Sequence, residues 1–266
     1  MKKKVFIYAT CHASRMAEIL KLSDAFNKNF SVNTQQNFIS PGKPADILDY
    51  KSQVQECDFF LYHKTVETLR KLQLIQYTDK SMAIPYITNS LHWPSYDFKR
   101  GVDPLLTDQI YKWGLIPYRC AYLESLYCEG RSHKDTISKY LKSNLDDIYD
   151  LDFITKIQFN YFNSLDDVGK LNISGWLIDR LSEKRLFHIY NHPSSAVFLE
   201  IGRQVLAFMG LPDDLPEVEG VDRFDILQTP IHHSVARKLN LKFYDADAIY
   251  NVGPYKIKFE EYLKLY

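Results

Sequence analysis

Residues 1–20 read MKKKVFIYATCHASRMAEIL, and this stretch decides the fold. Residues 5–8 form a short apolar run of β-favouring side chains, which is typical of a buried strand. Residues 13–20 are helix formers whose apolar side chains recur at helical spacing. The stretch therefore predicts a strand that runs directly into a helix, with Cys11 at the junction.

Cys11 is expected at the N-terminus of that helix. The backbone N–H groups at a helix N-terminus lack helical partners, and with the positive end of the helix dipole they stabilise a thiolate. The same groups can hold an oxyanion. His12 is adjacent, but neighbours in sequence often point apart, so its role as a base stays open. The alternative is that Cys11 is a small buried apolar residue.

Composition excludes several classes of function. Lys plus Arg and Asp plus Glu both number 33, so the net charge is zero and no broad surface for nucleic acid or acidic membranes is expected. The four cysteines lack the paired spacing of a metal site, and we expect no metal and free thiols in a reducing cytoplasm. No run approaches the ~20 apolar residues of a transmembrane helix. Nothing in the sequence indicates an oligomeric state.

The first half of the chain alternates between strand and helix patterns. A helix is predicted at residues 45–55, and three further strands are predicted at residues 30–32, 57–63 and 82–87. This alternation favours an α/β fold with a central parallel sheet flanked by helices. Since the carboxyl ends of such strands border the ligand crevice, His63 is a candidate to contact substrate or an oxyanion. The alternative is a surface or capping histidine.

The middle of the chain is predicted to be helical. The predicted helices cover residues 104–127, 135–144, 151–163 and 173–181. We expect a single domain over residues 1–266, in which roughly residues 100–182 form a helical insertion or cap on the sheet.

A second informative stretch, LFHIYNHPSS, covers residues 186–195. Residues 186–190 are predicted as a strand, and residues 196–209 as a helix that stops at Gly210. His192 thus lies at a strand-to-helix junction, as Cys11 does. If the two strands bring their ends to the same edge of the sheet, a thiol and an imidazole meet there, which is what nucleophilic catalysis needs.

Three short blocks of the sequence resemble those of the WcbI-type polysaccharide biosynthesis acetyltransferases. Thr10-Cys11-His12 stands where that family has Asn-Cys-Gln, and Tyr190-Asn191-His192-Pro193-Ser194 is similar to its Asn-His-Pro block. Residues 229–236, TPIHHSVA, are similar to its Pro-x-His-Pro-x-Val-Ala segment, with His233 in place of the second proline. The three blocks keep the same order and spacing.

The resemblance implies an architecture related to the SGNH hydrolases, of the flavodoxin-like kind, with cysteine at the nucleophile position. It also implies binding of coenzyme A or acetyl-CoA and acetylation of a capsular or surface sugar. Carried over by motif, Cys11 is the nucleophile and His192 the general base. SGNH hydrolases place an Asp three residues before their histidine, where this chain has Ile189, so Asn191 is only a candidate to orient the base.

Coenzyme A carries several phosphate charges, which favour Arg, Lys and helix N-termini in its site. Arg15 and Arg119 are candidates, although a solvated surface charge is the ordinary role of such residues. Two adjacent histidines seldom share a metal, so His232 has a structural or substrate-contacting role. The full set of candidates for binding coenzyme A is His12, Ser14, Arg15, His63, Arg119, Asn191 and His232.

The sequence leaves the chemistry open at three points. Cys11 either accepts the acyl group or only shapes a site in which His192 deprotonates the sugar. The same pair of residues would serve an esterase or deacetylase of acylated glycans. A non-catalytic binding protein with the same fold is the third reading.

Overall fold

The computed structural model describes residues 1–36, 49–64, 80–97, 119–168, 171–217 and 222–266. The strands are β1 (Lys3–Ala9), β2 (Phe30–Gln36), β3 (Phe59–His63), β4 (Ser81–Ile84), β5 (Tyr96–Asp97), β6 (Arg119–Cys120), β7 (Phe187–Ile189), β8 (His192–Pro193), β9 (Tyr250–Val252) and β10 (Tyr255–Ile257). The α-helices are α1 (His12–Leu20), α2 (Asp24–Asn29), α3 (Asp49–Glu56), α4 (Ala121–Cys128), α5 (His133–Lys142), α6 (Asp146–Tyr149), α7 (Leu151–Leu165), α8 (Ser174–Arg180), α9 (Ser195–Phe208), α10 (His233–Lys238) and α11 (Phe259–Leu263).

The largest sheet has four parallel strands in the order β2-β1-β3-β4. Residues 5–9 of β1 are all buried. A parallel sheet is covered on both faces, which explains why this strand is a continuous apolar run without alternation. The predicted α/β fold with a central parallel sheet flanked by helices is confirmed.

Side chains on both faces of this sheet are buried. Phe6, Tyr8 and Phe60 form a buried cluster with Val54 of α3 on one face. Because side chains alternate along a strand, Ile7 and Leu61 point to the opposite face. Both side chains are fully buried. The α1 helix contacts β1 and β2 and also packs against α9.

The α1 and α9 helices pack closely where Gly202 faces α1. A β-carbon at Gly202 would lie 2.8 Å from Cγ2 of Ile19, 3.0 Å from Cδ1 of Leu215 and 3.4 Å from Cε of Met16. Any β-carbon at residue 202 would therefore force a neighbouring side chain to shift. The α9 helix ends at Gly210, whose φ of 72° is the left-handed conformation of a helix stop.

We expect Gly202→Ala to destabilise the protein by about 1–2 kcal/mol. Overpacking costs typically 1–3 kcal/mol, and the better helix propensity of alanine returns up to about 1 kcal/mol. The measurement is the free energy of unfolding from urea titrations. Gly175 in α8 is the matched control, because a β-carbon there meets nothing within 4 Å. Gly175→Ala should be neutral or stabilising, and equal losses in both variants would contradict the packing argument.

The chain divides into two compact units, and the first holds the parallel sheet. The first unit consists of Met1–Ile87, Phe162–Leu177 and Ser195–Arg223, and the second of Thr88–Tyr161, Ile178–Ser194 and Phe224–Tyr266. The core of the second unit combines aromatic and aliphatic side chains, namely Cys120, Leu123, Leu126, Ile137, Tyr140, Val252, Tyr262, Leu263 and Tyr266. The expected organisation as one domain with a helical insertion stays a prediction.

Three predicted elements differ from the structure. The strand predicted at residues 82–87 is shorter, since β4 ends at Ile84. Of the helix predicted at residues 104–127, residues 119–120 form strand β6 and residues 121–127 lie in α4, while residues 104–118 lie outside the described residues. The strand predicted at residues 186–190 does not join the parallel sheet in the described part of the chain, because β7 pairs antiparallel with β8.

Candidate active site

Cys11 and His63 lie at the point where the strand order of the parallel sheet reverses. From β1 the chain moves outward to β2 and then returns across β1 to β3. Cys11 follows β1, and His63 is the last residue of β3, whose Tyr62 pairs with Tyr8 of β1. Ligands in open α/β sheets bind outside the carboxyl ends of the strands at such a reversal. The fold therefore puts this thiol and this imidazole where a ligand crevice is expected.

The Cys11 side chain is half-buried at the N-terminus of α1. The Thr10 hydroxyl and the backbone N–H groups of Cys11 and His12 form hydrogen bonds that favour the thiolate. Burial outweighs them and raises the pKa of the Cys11 thiol above its ordinary value. The local donors act in the direction that the sequence predicted, but partial burial exceeds their effect. At neutral pH Cys11 is therefore a thiol.

The orientation of His63 is fixed by its contacts with Thr10, His12 and Tyr86. The Thr10 backbone N–H donates to Nδ1 of His63 at 3.3 Å. The imidazole is 1% exposed. Its ring packs edge-on against His12, with centroids 5.2 Å apart, and against Tyr86 at 5.6 Å. Burial, together with the nearby His12, holds the pKa of His63 well below its ordinary value. His63 is thus a neutral imidazole with its Nδ1 occupied.

His12 is buried and packs among the aromatic side chains next to His63. It is 2% exposed, and its ring lies 5.5 Å from that of Tyr86 and 5.3 Å edge-on from that of Phe198 on α9. Ser14 is exposed, and its hydroxyl donates to the Cys11 carbonyl at 3.2 Å. Contact of either residue with coenzyme A stays a prediction.

Arg15, expected as a phosphate-binding side chain, is 2% exposed. Its guanidinium donates to the Ser195 hydroxyl at 2.6 Å and to the Glu18 carboxylate at 3.1 Å. The Ser195 backbone N–H, the first of α9, donates to the Asp222 carboxylate at 2.6 Å. These bonds connect the helix that carries Cys11 to the N-terminus of α9. A role for Arg15 in holding a phosphate stays a prediction.

His192 lies in the second unit, in the short antiparallel strand β8. Its ring stacks on that of Phe224, with centroids 4.8 Å apart and planes 20° apart. Burial, with a smaller effect of His188, lowers the pKa of His192 to about 4. The imidazole is neutral at pH 7 and can accept a proton. The sequence analysis expected Cys11 and His192 to meet if the strands before them belong to one sheet. In the described residues these two strands belong to different sheets.

Three candidates for binding coenzyme A remain, namely His232, Asn191 and Arg119. His232 caps α10: its Nδ1 accepts from the Ser234 N–H at 3.2 Å, and its Nε2 donates to the Tyr140 carbonyl at 3.0 Å. Asn191 is half-buried in the turn between β7 and β8. Arg119 begins β6, and its side chain lies outside the described residues. The bonds of His232 match the structural role that the sequence left open, and binding of coenzyme A by all three stays a prediction.

Sequence reasoning missed two kinds of residue at the site. Thr10 was noted only as a departure from the family motif, although its hydroxyl and its N–H contact Cys11 and His63 respectively. The hydrogen bonds of Ser195 and Asp222 left no local signal, because their partners lie 180 and 27 residues away in the chain.

No group of three or more metal-ligating side chains occurs among the described residues. Of the helices in the described ranges, none is long and apolar enough to cross a membrane.

Comparison with known proteins gives one family and one solved structure. The model of the family described as polysaccharide biosynthesis enzyme WcbI matches residues 4–214. A structure of WcbI shares the fold with a TM-score of 0.74 at 18% sequence identity, over 100% of this chain and 89% of that chain. It is described as the native form of a novel polysaccharide biosynthesis enzyme, without a disulfide bond between coenzyme A and a cysteine. No protein of curated function matches the sequence.

Proposed function

This chain belongs to the WcbI family of polysaccharide biosynthesis enzymes, and from that premise we propose that it transfers an acetyl group from acetyl-CoA to a sugar hydroxyl of a capsular or surface polysaccharide. Acetyl-CoA is a substrate in this reaction, and coenzyme A is released as a product. The observation that carries the proposal is the position of Cys11, a half-buried thiol at the carboxyl end of β1 where the strand order reverses.

The surroundings of Cys11 suit a thioester. The Thr10 hydroxyl and the N–H groups of Cys11 and His12 surround the sulfur, and such donors stabilise negative charge on sulfur or on an attacked carbonyl oxygen. The WcbI structure is described with reference to a disulfide between coenzyme A and a cysteine. We propose that Cys11 is the corresponding cysteine here, so that the thiol end of coenzyme A lies beside it.

The covalent reaction has two balanced steps. In the first, the Cys11 sulfur forms a bond to the acetyl carbonyl carbon, the bond from that carbon to the coenzyme A sulfur breaks, and the thiol proton moves to coenzyme A. In the second, a sugar hydroxyl oxygen attacks the acetyl-enzyme, the bond to Cys11 breaks, and the hydroxyl proton returns to the sulfur. Because the resting group is a thiol with a raised pKa, its proton must leave as the first bond forms.

Direct transfer is the second version of the same chemistry. The sugar oxygen forms a bond to the acetyl carbon of acetyl-CoA, the bond from that carbon to the coenzyme A sulfur breaks, and the base moves the hydroxyl proton to the departing sulfur. The raised pKa of Cys11 favours this version, since a thiol is a far weaker nucleophile than a thiolate.

We propose His192 as the base in both versions. In the covalent version it carries the thiol proton to coenzyme A and later the hydroxyl proton to the Cys11 sulfur. Its lowered pKa leaves the imidazole neutral at pH 7, as a proton acceptor must be. The proposal places the reaction in the cytoplasm, where the four cysteines, all free thiols, stay reduced.

We expect purified protein to bind coenzyme A and acetyl-CoA with a dissociation constant in the micromolar range or tighter, about −8 kcal/mol. Isothermal titration calorimetry measures this, with a nucleotide carrying the same phosphates as the control ligand. Selective binding of coenzyme A supports the proposal and justifies a screen of sugar acceptors. No detectable binding contradicts it, and release of acetate from acetylated glycans would then indicate an esterase.

A further inference from the structure

His63 lies with Cys11 where the strand order reverses. Its contacts show which nitrogen of the imidazole carries the proton. Nδ1 accepts the Thr10 backbone N–H. A neutral imidazole has one protonated and one unprotonated nitrogen, and an acceptor at Nδ1 puts the proton on Nε2. Among the described residues, only Thr10 forms a hydrogen bond with this ring. Nε2–H is therefore a donor at the far end of the ring from the β3 backbone.

The packing holds this donor in place. The edge-on contact with His12 and the contact with Tyr86 fix the ring plane, and the side chain is almost wholly excluded from solvent. Taking up a proton would require the ring to give up the Thr10 bond at Nδ1 in a buried setting next to another imidazole. His63 is thus built to keep its proton, unlike a general base, which must accept one.

We propose that His63 donates its Nε2–H to the acyl carbonyl oxygen of the thioester, where negative charge develops when the carbonyl is attacked. This inference rests on the proposed function, which supplies the thioester. The Thr10–His63 bond gives Thr10 a second task, because its N–H sets the tautomer of His63 while its hydroxyl contacts the Cys11 sulfur. A preorganised donor of this kind is worth roughly 10²–10³-fold in kcat.

Two substitutions separate the donor from the structural bond. In His63→Asn, the side-chain oxygen can still accept the Thr10 N–H, but the distal donor is lost. In His63→Gln, an amide N–H reaches the distal position, but the acceptor next to the β-carbon is lost. We expect His63→Asn to lower kcat about 100-fold with unchanged affinity for coenzyme A, and His63→Gln to recover part of the loss. Wild-type kcat in His63→Asn would overturn the proposal.

A measurement without turnover keeps this inference separate from the proposed function. ¹⁵N nuclear magnetic resonance of the wild-type imidazole should show a neutral ring with Nε2 protonated from pH 8 to pH 6. A ketone analogue of acetyl-CoA should shift the Nε2–H resonance, whereas coenzyme A, which has no carbonyl at that place, should not. An Nδ1–H tautomer, or no shift with a bound analogue, would overturn the donor role. Failure of the analogue and of coenzyme A to bind would instead overturn the proposed function.

Discussion

Replacement of Cys11 by alanine is expected to lower acetyl transfer by about 10³-fold or more if the reaction is covalent, because no other group supplies the nucleophile. Cys11→Ser should be nearly as inactive, since a serine hydroxyl is far less acidic than the already weakly acidic Cys11 thiol. Both variants should keep the fold, with a change in the free energy of unfolding below about 1 kcal/mol for a half-buried side chain. The measurements are kcat/KM and thermal unfolding.

The matched control is Cys128→Ser, since Cys128 is an exposed free thiol at the end of α4. It should leave kcat/KM unchanged. The intermediate itself is tested by mixing the wild type with acetyl-CoA labelled in the acetyl group and quenching in acid, which should leave label on Cys11. Full activity of Cys11→Ala, with no trapped label, would remove the covalent version and leave direct transfer with His192 as the base.

The sequence predicted the first strand and helix well because both signals are local. An apolar run and a helical repeat specify β1 and α1 without reference to distant residues. The same signals failed for residues 186–190, since an apolar run says that a strand is buried but not which strand pairs with it. In the structure, β7 turns back after two residues and pairs with β8.

The sequence predicted which residues lie at the site, but not their pKa values or their contacts. The positions of Cys11 and His63 followed from strand ends in a parallel sheet. The pKa of Cys11 depends on how deeply the sulfur is buried, which tertiary packing decides. Likewise, the sequence offered Arg15 as a phosphate-binding or solvated side chain, but its burial against Ser195 is set by the packing of α1 on α9.

Acid is expected to unfold the protein well before most carboxylates protonate, because three histidines are buried in neutral form. His63, His92 and His232 are each at most 2% exposed. Burial lowers the pKa of His92 to about 3 and that of His232 to about 4, and it holds the pKa of His63 well below its ordinary value. In the unfolded chain all three should titrate near pH 6.5.

The sign follows from proton binding. Between the unfolded and folded pKa values the unfolded chain binds more protons, so stability is complete above about pH 6.5 and falls as the pH drops below it. Each histidine costs about 1.4 kcal/mol per pH unit in this window, which extends down to about pH 4 for His232 and about pH 3 for His92. At pH 5 His92 and His232 together remove about 4 kcal/mol, and His63 adds to this loss in the same direction, so the total is comparable with the stability of an ordinary domain.

Urea unfolding followed by circular dichroism at several values between pH 7.5 and pH 5 measures this slope. His232→Asn is the informative variant, because asparagine can also accept the Ser234 N–H as an N-cap residue but does not titrate. Its stability should fall more slowly with acid, by about 1.4 kcal/mol per pH unit, than that of the wild type. A variant slope equal to that of the wild type would mean that His232 is protonated in the folded state, and that water or a rearranged loop reaches its ring.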